Sequence, residues 1–105
     1  MPIAALLSLA VSGPIVQGPS PEHPAYDIAC RTGTPVHAVF DGTTRTGYSS
    51  RMGNQIWLEG TSRNAYYAHL QSVEPGAIVK AGQVIGTCGN TGSWSYGPHL
   101  HIEIK

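Results

Sequence analysis

Charge is what this chain has least of. Only 11% of its 105 residues are Asp, Glu, Lys or Arg, against about 25% in ordinary globular chains. Six basic residues balance six acidic ones to a formal net charge of zero. With no basic stripe to neutralise phosphates or meet an anionic lipid surface, nucleic acid and membrane headgroups are unsupported as partners. Long apolar runs are also missing. The one continuous stretch, IAALLSLAV from Ile3 to Val11, falls far short of the roughly 20 residues that span a bilayer, so a transmembrane helix is excluded. Its length suits the centre of a signal peptide, but no basic residue precedes it and the first charged residue is Glu22. The favoured reading is a strand or short packed segment opening the domain, with residues 1–12 as an N-terminal extension or edge strand. Cysteine is confined to Cys30 and Cys88, which form no CxxC pair. They are either a disulfide in an oxidising compartment or two small buried hydrophobes.

What is present is turn chemistry. Thirteen glycines and eight prolines, spread along a chain long enough for one domain, indicate many short strands rather than helices. SGPIVQGPSPEHP, Ser12 to Pro24, reads as a loop with at most a short strand inside it. TPVHAVF ends at Asp41-Gly42, a dipeptide that reads as a tight hairpin turn into TTRTGY. NQIWLEG and AYYAHLQSV are strand candidates split by the polar turn TSRN. AIVKAG and QVIGTCG follow as short apolar stretches, and a Gly/Ser loop, NTGSWSYGP, leads into HLHIEIK. With no helical periodicity and turn signals roughly every ten residues, the fold class is all-β, a small antiparallel sheet or sandwich over residues 1–105.

The histidines carry the chemistry. On a strand the side-chain period is two, so His99 and His101 share a face and Leu100 takes the other. Two imidazoles are half of a zinc site, which needs three or four converging ligands. His23 and Asp27, four apart, also share a face, and Pro24 drives His23 into an extended conformation. Together the residues form a His-Asp-His set with an open fourth position, the arrangement of a catalytic zinc. Each motif alone has a plainer reading as a hydrogen-bonded or solvated pair, and His37, out of phase with Val36, Ala38 and Phe40, reads as surface-facing.

In combination the motifs carry a resemblance. HPAYDIA (His23 to Ala29), GTPVHAVFDG (Gly33 to Gly42), YAHL (Tyr67 to Leu70), VKAGQVIGTCGNTG (Val79 to Gly92) and GPHLHIEI (Gly97 to Ile104) resemble, in order and spacing, the lysostaphin-type, LytM-like zinc endopeptidases that cut peptidoglycan cross-bridges. The match runs from about Gly13 onward. The resemblance implies Zn²⁺ ligands at His23, Asp27 and His101, non-ligand catalytic histidines at His69 and His99, and a small antiparallel sheet with the zinc in a groove between loops. The chain departs from the pattern at Ala25, where relatives usually carry glycine. It also lacks the Phe-Gly element and the upstream tyrosine that steadies an oxyanion in several relatives, and Tyr26, Tyr66, Tyr67 and Tyr96 are the candidates to replace that tyrosine.

The implied chemistry is peptide hydrolysis. Zinc polarises the scissile carbonyl and lowers the pKa of a water towards about 7, while His69 and His99 move protons or hold the oxyanion. Glu103, on the face of the two histidines, is a candidate to hydrogen-bond a ligand. Gly89, Gly92, Ser93, Gly97, Trp94 and Tyr96 are candidate groove-lining residues for a neutral peptide substrate. An inactive cell-wall-binding or hydrolase-activating module of the same fold is the alternative, and the five filled positions favour the enzyme. A cupin-like barrel also uses His-x-His, but no histidine follows His101. A peptidoglycan substrate places the protein outside the cytoplasmic membrane, either secreted or associated with a phage virion or larger assembly. The missing signal peptide leans towards a phage-borne or excised catalytic domain.

Overall fold

Short strands dominate the fold, as a chain so rich in glycine and proline requires. A computed structural model describes residues 2–105. Among them are α1 (Ile3–Ala10), β1 (Ile15–Gln17), β2 (Tyr26–Ala29), β3 (Pro35–His37), β4 (Gly42–Ser49), β5 (Gly53–Glu59), β6 (Asn64–Leu70), β7 (Ser72–Val73), β8 (Ile78–Val79), β9 (Val84–Thr87) and β10 (His99–Ile104). Seven strands form one sheet in the order β1-β2-β10-β6-β5-β4-β8, and β3-β9-β7 form a second. The strands pair antiparallel throughout, which is the all-β architecture expected from the turn pattern.

Alternation along the strands separates two faces of the large sheet. Ile28, Ile56, Leu58, Tyr67, Leu100 and Ile102 point into the core, where they meet Val36 and Ile85 of the second sheet. Burying each such side chain contributes roughly 1.5–3 kcal/mol. The opposite positions, among them Asp27, Gln55, Trp57, Tyr66, His99, His101 and Glu103, share the open face. Cys30 and Cys88 form a disulfide, joining the end of β2 to the segment after β9.

Two sequence expectations are corrected. The run from Ile3 is a helix rather than a strand: Leu6, Leu7 and Ala10 are buried on one side, with Ile3 packed against the same cluster. Positions 3, 6, 7 and 10 are the i, i+3, i+4, i+7 template of an amphipathic helix, and alanine and leucine are strong helix formers; the uniformly apolar neighbours masked that period. Asp41-Gly42 is not a hairpin turn either. β3 pairs with β9, and β4 with β5 and β8, so the dipeptide is where the chain crosses from one sheet to the other. Gly42 does not have the positive φ that such a turn needs. Its hydrogen lets β4 approach β5, where a Cβ would sit 2.3 Å from the Glu59 carbonyl oxygen. Asp41 Oδ1 accepts from Ala81 N at 2.8 Å.

Candidate metal centre

The site grows from β10, whose pleat turns His99 and His101 to the open face. β2 and β6 flank it, and the register places Asp27 directly opposite His101 on one side and Ala68 on the other. His23 precedes β2 in the proline-rich loop, where it forms an isolated bridge with Ser20, and its Nε2 reaches Asp27 Oδ2 at 3.0 Å. Donor atoms of His23, Asp27 and His101 all lie within 4.8 Å of one another. The buried Ala25 side chain is accommodated between the two residues of the loop-strand motif.

His69 arrives by a different route. Strict alternation would turn it to the core beside Tyr67, but Asn54 pairs with Leu70 and Ile56 with Tyr67. Two steps along β5 therefore match three along β6, leaving one extra residue, a β-bulge. His69 has a φ of +62°, the only positive φ outside glycine among the described residues. Such a backbone costs of order 1–3 kcal/mol and persists only where its surroundings enforce it. Here the His69 amide donates to the Met52 carbonyl at 2.8 Å, and Thr91 is fixed by hydrogen bonds to Leu70 O and from Asn54 N. The bulge swings the ring into the cleft, with its centroid 4.9 Å from that of His99 and 5.7 Å from that of His101.

Hydrogen bonds set the tautomers. His69 Nδ1 lies 2.8 Å from the Thr91 carbonyl and His99 Nδ1 lies 2.8 Å from the Gly97 carbonyl. A carbonyl only accepts, so both Nδ1 atoms carry protons and both Nε2 atoms are left with lone pairs. His101 Nε2 lies 3.1 Å from Glu103 Oε2, which likewise leaves the His101 lone pair on Nδ1. Burial, reinforced by the neighbouring His99 and His101, pushes the His69 pKa below its ordinary value, against the opposing effect of the Thr91 hydrogen bond.

These lone pairs converge on an anion. Asp27 Oδ1 is buried without a hydrogen-bond partner, yet His101 Nδ1 stands 3.4 Å and His99 Nε2 3.5 Å away. A buried carboxylate oxygen facing two imidazole nitrogens needs a proton or a metal ion between them. Two nitrogens and one carboxylate oxygen form a donor set that suits Zn²⁺, so the residues present fit the metal.

The cluster floors a cleft of about 900 Å³ bounded by Val16 on one side and by Trp94, Tyr96 and Gly97 on the other. Among the expected groove residues, Gly89 instead bridges to the backbone of His99, and Ser93 N donates to Ser50 O. Of the four tyrosine candidates, Tyr66 and Tyr96 line the cleft. Tyr67 is in the core with its hydroxyl bonded to Val39 N and His37 O, and Tyr26 packs against the core. Strand parity and the long β6-to-core reach, invisible in composition, remove those two. His37 is half-buried and stands apart from the cleft.

Residues 21–105 match Peptidase family M23. A curated relative, the peptidoglycan DD-endopeptidase ShyC of Vibrio cholerae, is 39% identical over 95 residues, covering 85% of this chain and 21% of that protein. Among solved structures, the catalytic domain of lysostaphin from Staphylococcus simulans is similar with a TM-score of 0.73 at 37% identity, covering 90% of this chain and 75% of that one. A zinc-containing peptidase from Vibrio cholerae is similar with a TM-score of 0.79 at 31% identity, covering 88% and 33%. The chain spans 17% to 25% of the length of such curated relatives.

Proposed function

The chain belongs to Peptidase family M23, and within that family we propose that it is a zinc-dependent endopeptidase that hydrolyses peptide bonds in peptidoglycan cross-bridges or stem peptides. The observation that carries the reading is the convergence of His23, Asp27 and His101 within 4.8 Å around a buried, partnerless carboxylate oxygen, beside two further histidines whose Nδ1 atoms are anchored.

His23, Asp27 and His101 would hold the metal, leaving a position open to the cleft. When bound there, zinc supplies Lewis acidity to a carbonyl oxygen and to water, whose ionisation it brings towards neutral pH. Glu103 accepts from His101 Nε2–H and so fixes Nδ1 as that residue's ligating atom. His69 and His99 handle the protons. Each presents an unprotonated Nε2 to the cleft, and burial keeps His69 in that neutral form, ready to take a proton from the attacking water. The same Nε2–H then returns the proton to the leaving amine. Anchorage through Nδ1 holds both rings in the orientation that this transfer needs.

The substrate assignment rests on the relatives, named as a peptidoglycan DD-endopeptidase and as lysostaphin. No helix among the described residues is long and apolar enough to cross a membrane. A wall substrate places the protein outside the cytoplasmic membrane, secreted or carried on a phage virion. The test is to incubate purified sacculi with zinc-loaded protein, with and without chelator, and to measure newly released amino groups. Release that the chelator abolishes is the expected result. No release from any wall type would instead identify a binding or hydrolase-activating module.

A further inference from the structure

The open face of the large sheet carries a second cavity beyond the metal cleft. Register places Glu103 opposite Tyr66, Tyr66 opposite Trp57 and Trp57 opposite Arg45. One row of side chains therefore crosses β10, β6, β5 and β4 on the face that bears His101. The row is continuous: Tyr66 stands edge-on to His101 with centroids 6.1 Å apart, Trp57 lies 5.4 Å from Tyr66, and the Arg45 guanidinium sits 4.7 Å from the centre of the Trp57 ring. The cavity beside it has a volume of about 540 Å³ and shares Tyr66 and Glu103 with the metal cleft.

The charges lining this cavity, Arg45 and Lys105 against Glu59 and Glu103, are equal in number but not all paired. Glu103 is committed to His101 at 3.1 Å and Lys105 at 3.4 Å. Arg45 has no ion pair with any carboxylate among the described residues, Glu59 of the same cavity included, and its guanidinium rests on the Trp57 ring, which steadies it. Gln55 is buried in the cavity wall. Its Oε1 accepts the Tyr66 hydroxyl, which leaves the amide N–H groups as its remaining polar atoms. A permanently charged planar fork and an amide donor in one cavity are complementary to a carboxylate.

We propose that this cavity is a subsite for a carboxylate-bearing residue of the bound peptide, with Arg45 as the anchor and Gln55 as a second donor. β4 lies three strand spacings of about 4.8 Å from β10, so the carboxylate sits roughly 14 Å from the metal cluster. That is on the order of four residues of extended peptide from the bond to be cut. The inference rests on the endopeptidase reading for the path of the peptide, and its test separates the two.

Glycine-rich peptides carrying a single glutamate, walked along either side of a central bond, are paired with glutamine versions and titrated calorimetrically into the zinc-loaded protein, with cleavage followed in parallel. At one position the glutamate peptide should bind about tenfold more tightly than its glutamine twin. Arg45→Gln should abolish that difference, and Arg45→Lys, which keeps the charge without the fork, should retain part of it. Equal affinities at every position, or a preference that survives Arg45→Gln, would overturn the subsite. A preference without cleavage of either peptide upholds the subsite and removes the endopeptidase reading. Cleavage without any preference does the reverse.

Discussion

At the scale of single residues the two histidines of β10 are neighbours with different surroundings. His101 has its Nε2 on Glu103 and its Nδ1 on Asp27, whereas His99 has its Nδ1 tied to Gly97 and its Nε2 turned to the cleft. His101→Ala should therefore lose zinc and activity together. His99→Ala should keep zinc, measured by metal analysis, and lose about a hundred- to ten-thousand-fold in turnover; two equally active variants would remove the site assignment. Glu103→Gln replaces the carboxylate that selects the His101 tautomer, and zinc affinity should fall about 10- to 100-fold in a competition titration with a chelator. His69 gives a pH signature. Its folded-state pKa lies below the ordinary 6.5 because burial disfavours the charged ring, so the unfolded chain binds that proton more tightly. The associated stability is complete above the unfolded value and declines as pH falls beneath it. Melting of the metal-free protein should show that decline, and His69→Gln should flatten it.

Among the elements, the β6 bulge and helix α1 each reveal how local signals were read or missed. The positions of β10 followed from alternation alone. Those of β6 did not, because a bulge depends on its partners: β5 supplies Asn54, the turn before it supplies Met52, and the loop after β9 supplies Thr91. Gly53, at φ +68°, lies against this cluster, and a Cβ there would meet Thr91 Oγ1 at 2.2 Å. Gly53→Ala should displace Thr91, release the His69 Nδ1 anchor and lower turnover more than it lowers zinc content, as parallel kinetic and metal assays would show. In α1 the apolar run was legible as a packed segment, and its helical period was not. Leu7, 3% exposed, should cost about 2–5 kcal/mol when truncated to alanine, read by denaturant titration; a cost near zero would mean that the helix is not part of the core.

For the molecule as a whole, the Cys30–Cys88 disulfide ties together the two segments that flank the start of β10. Ala29, beside Cys30, pairs with His99 from one side, and Gly89, beside Cys88, bridges to it from the other. Reduction should lower the unfolding free energy by about 2–4 kcal/mol, seen as a lower melting temperature in reductant, with activity falling before the fold is lost. Composition gave no support to charge-driven partners, no apolar run reached the length of a membrane-spanning helix, and turn spacing identified an all-β chain. The period of the pleat placed His99 and His101 on one face, and the HxxxD spacing placed His23 beside Asp27. Those features were legible because each depends on residues within a few positions of one another. The pairing of β2 with β10 that sets Asp27 opposite His101, the entry of His69 into the cleft, the choice of a disulfide over two free thiols and the row ending at Arg45 were not. Each joins residues distant along the chain, and sheet register and packing select such partners through the burial of a common core, an energy that no local stretch contains.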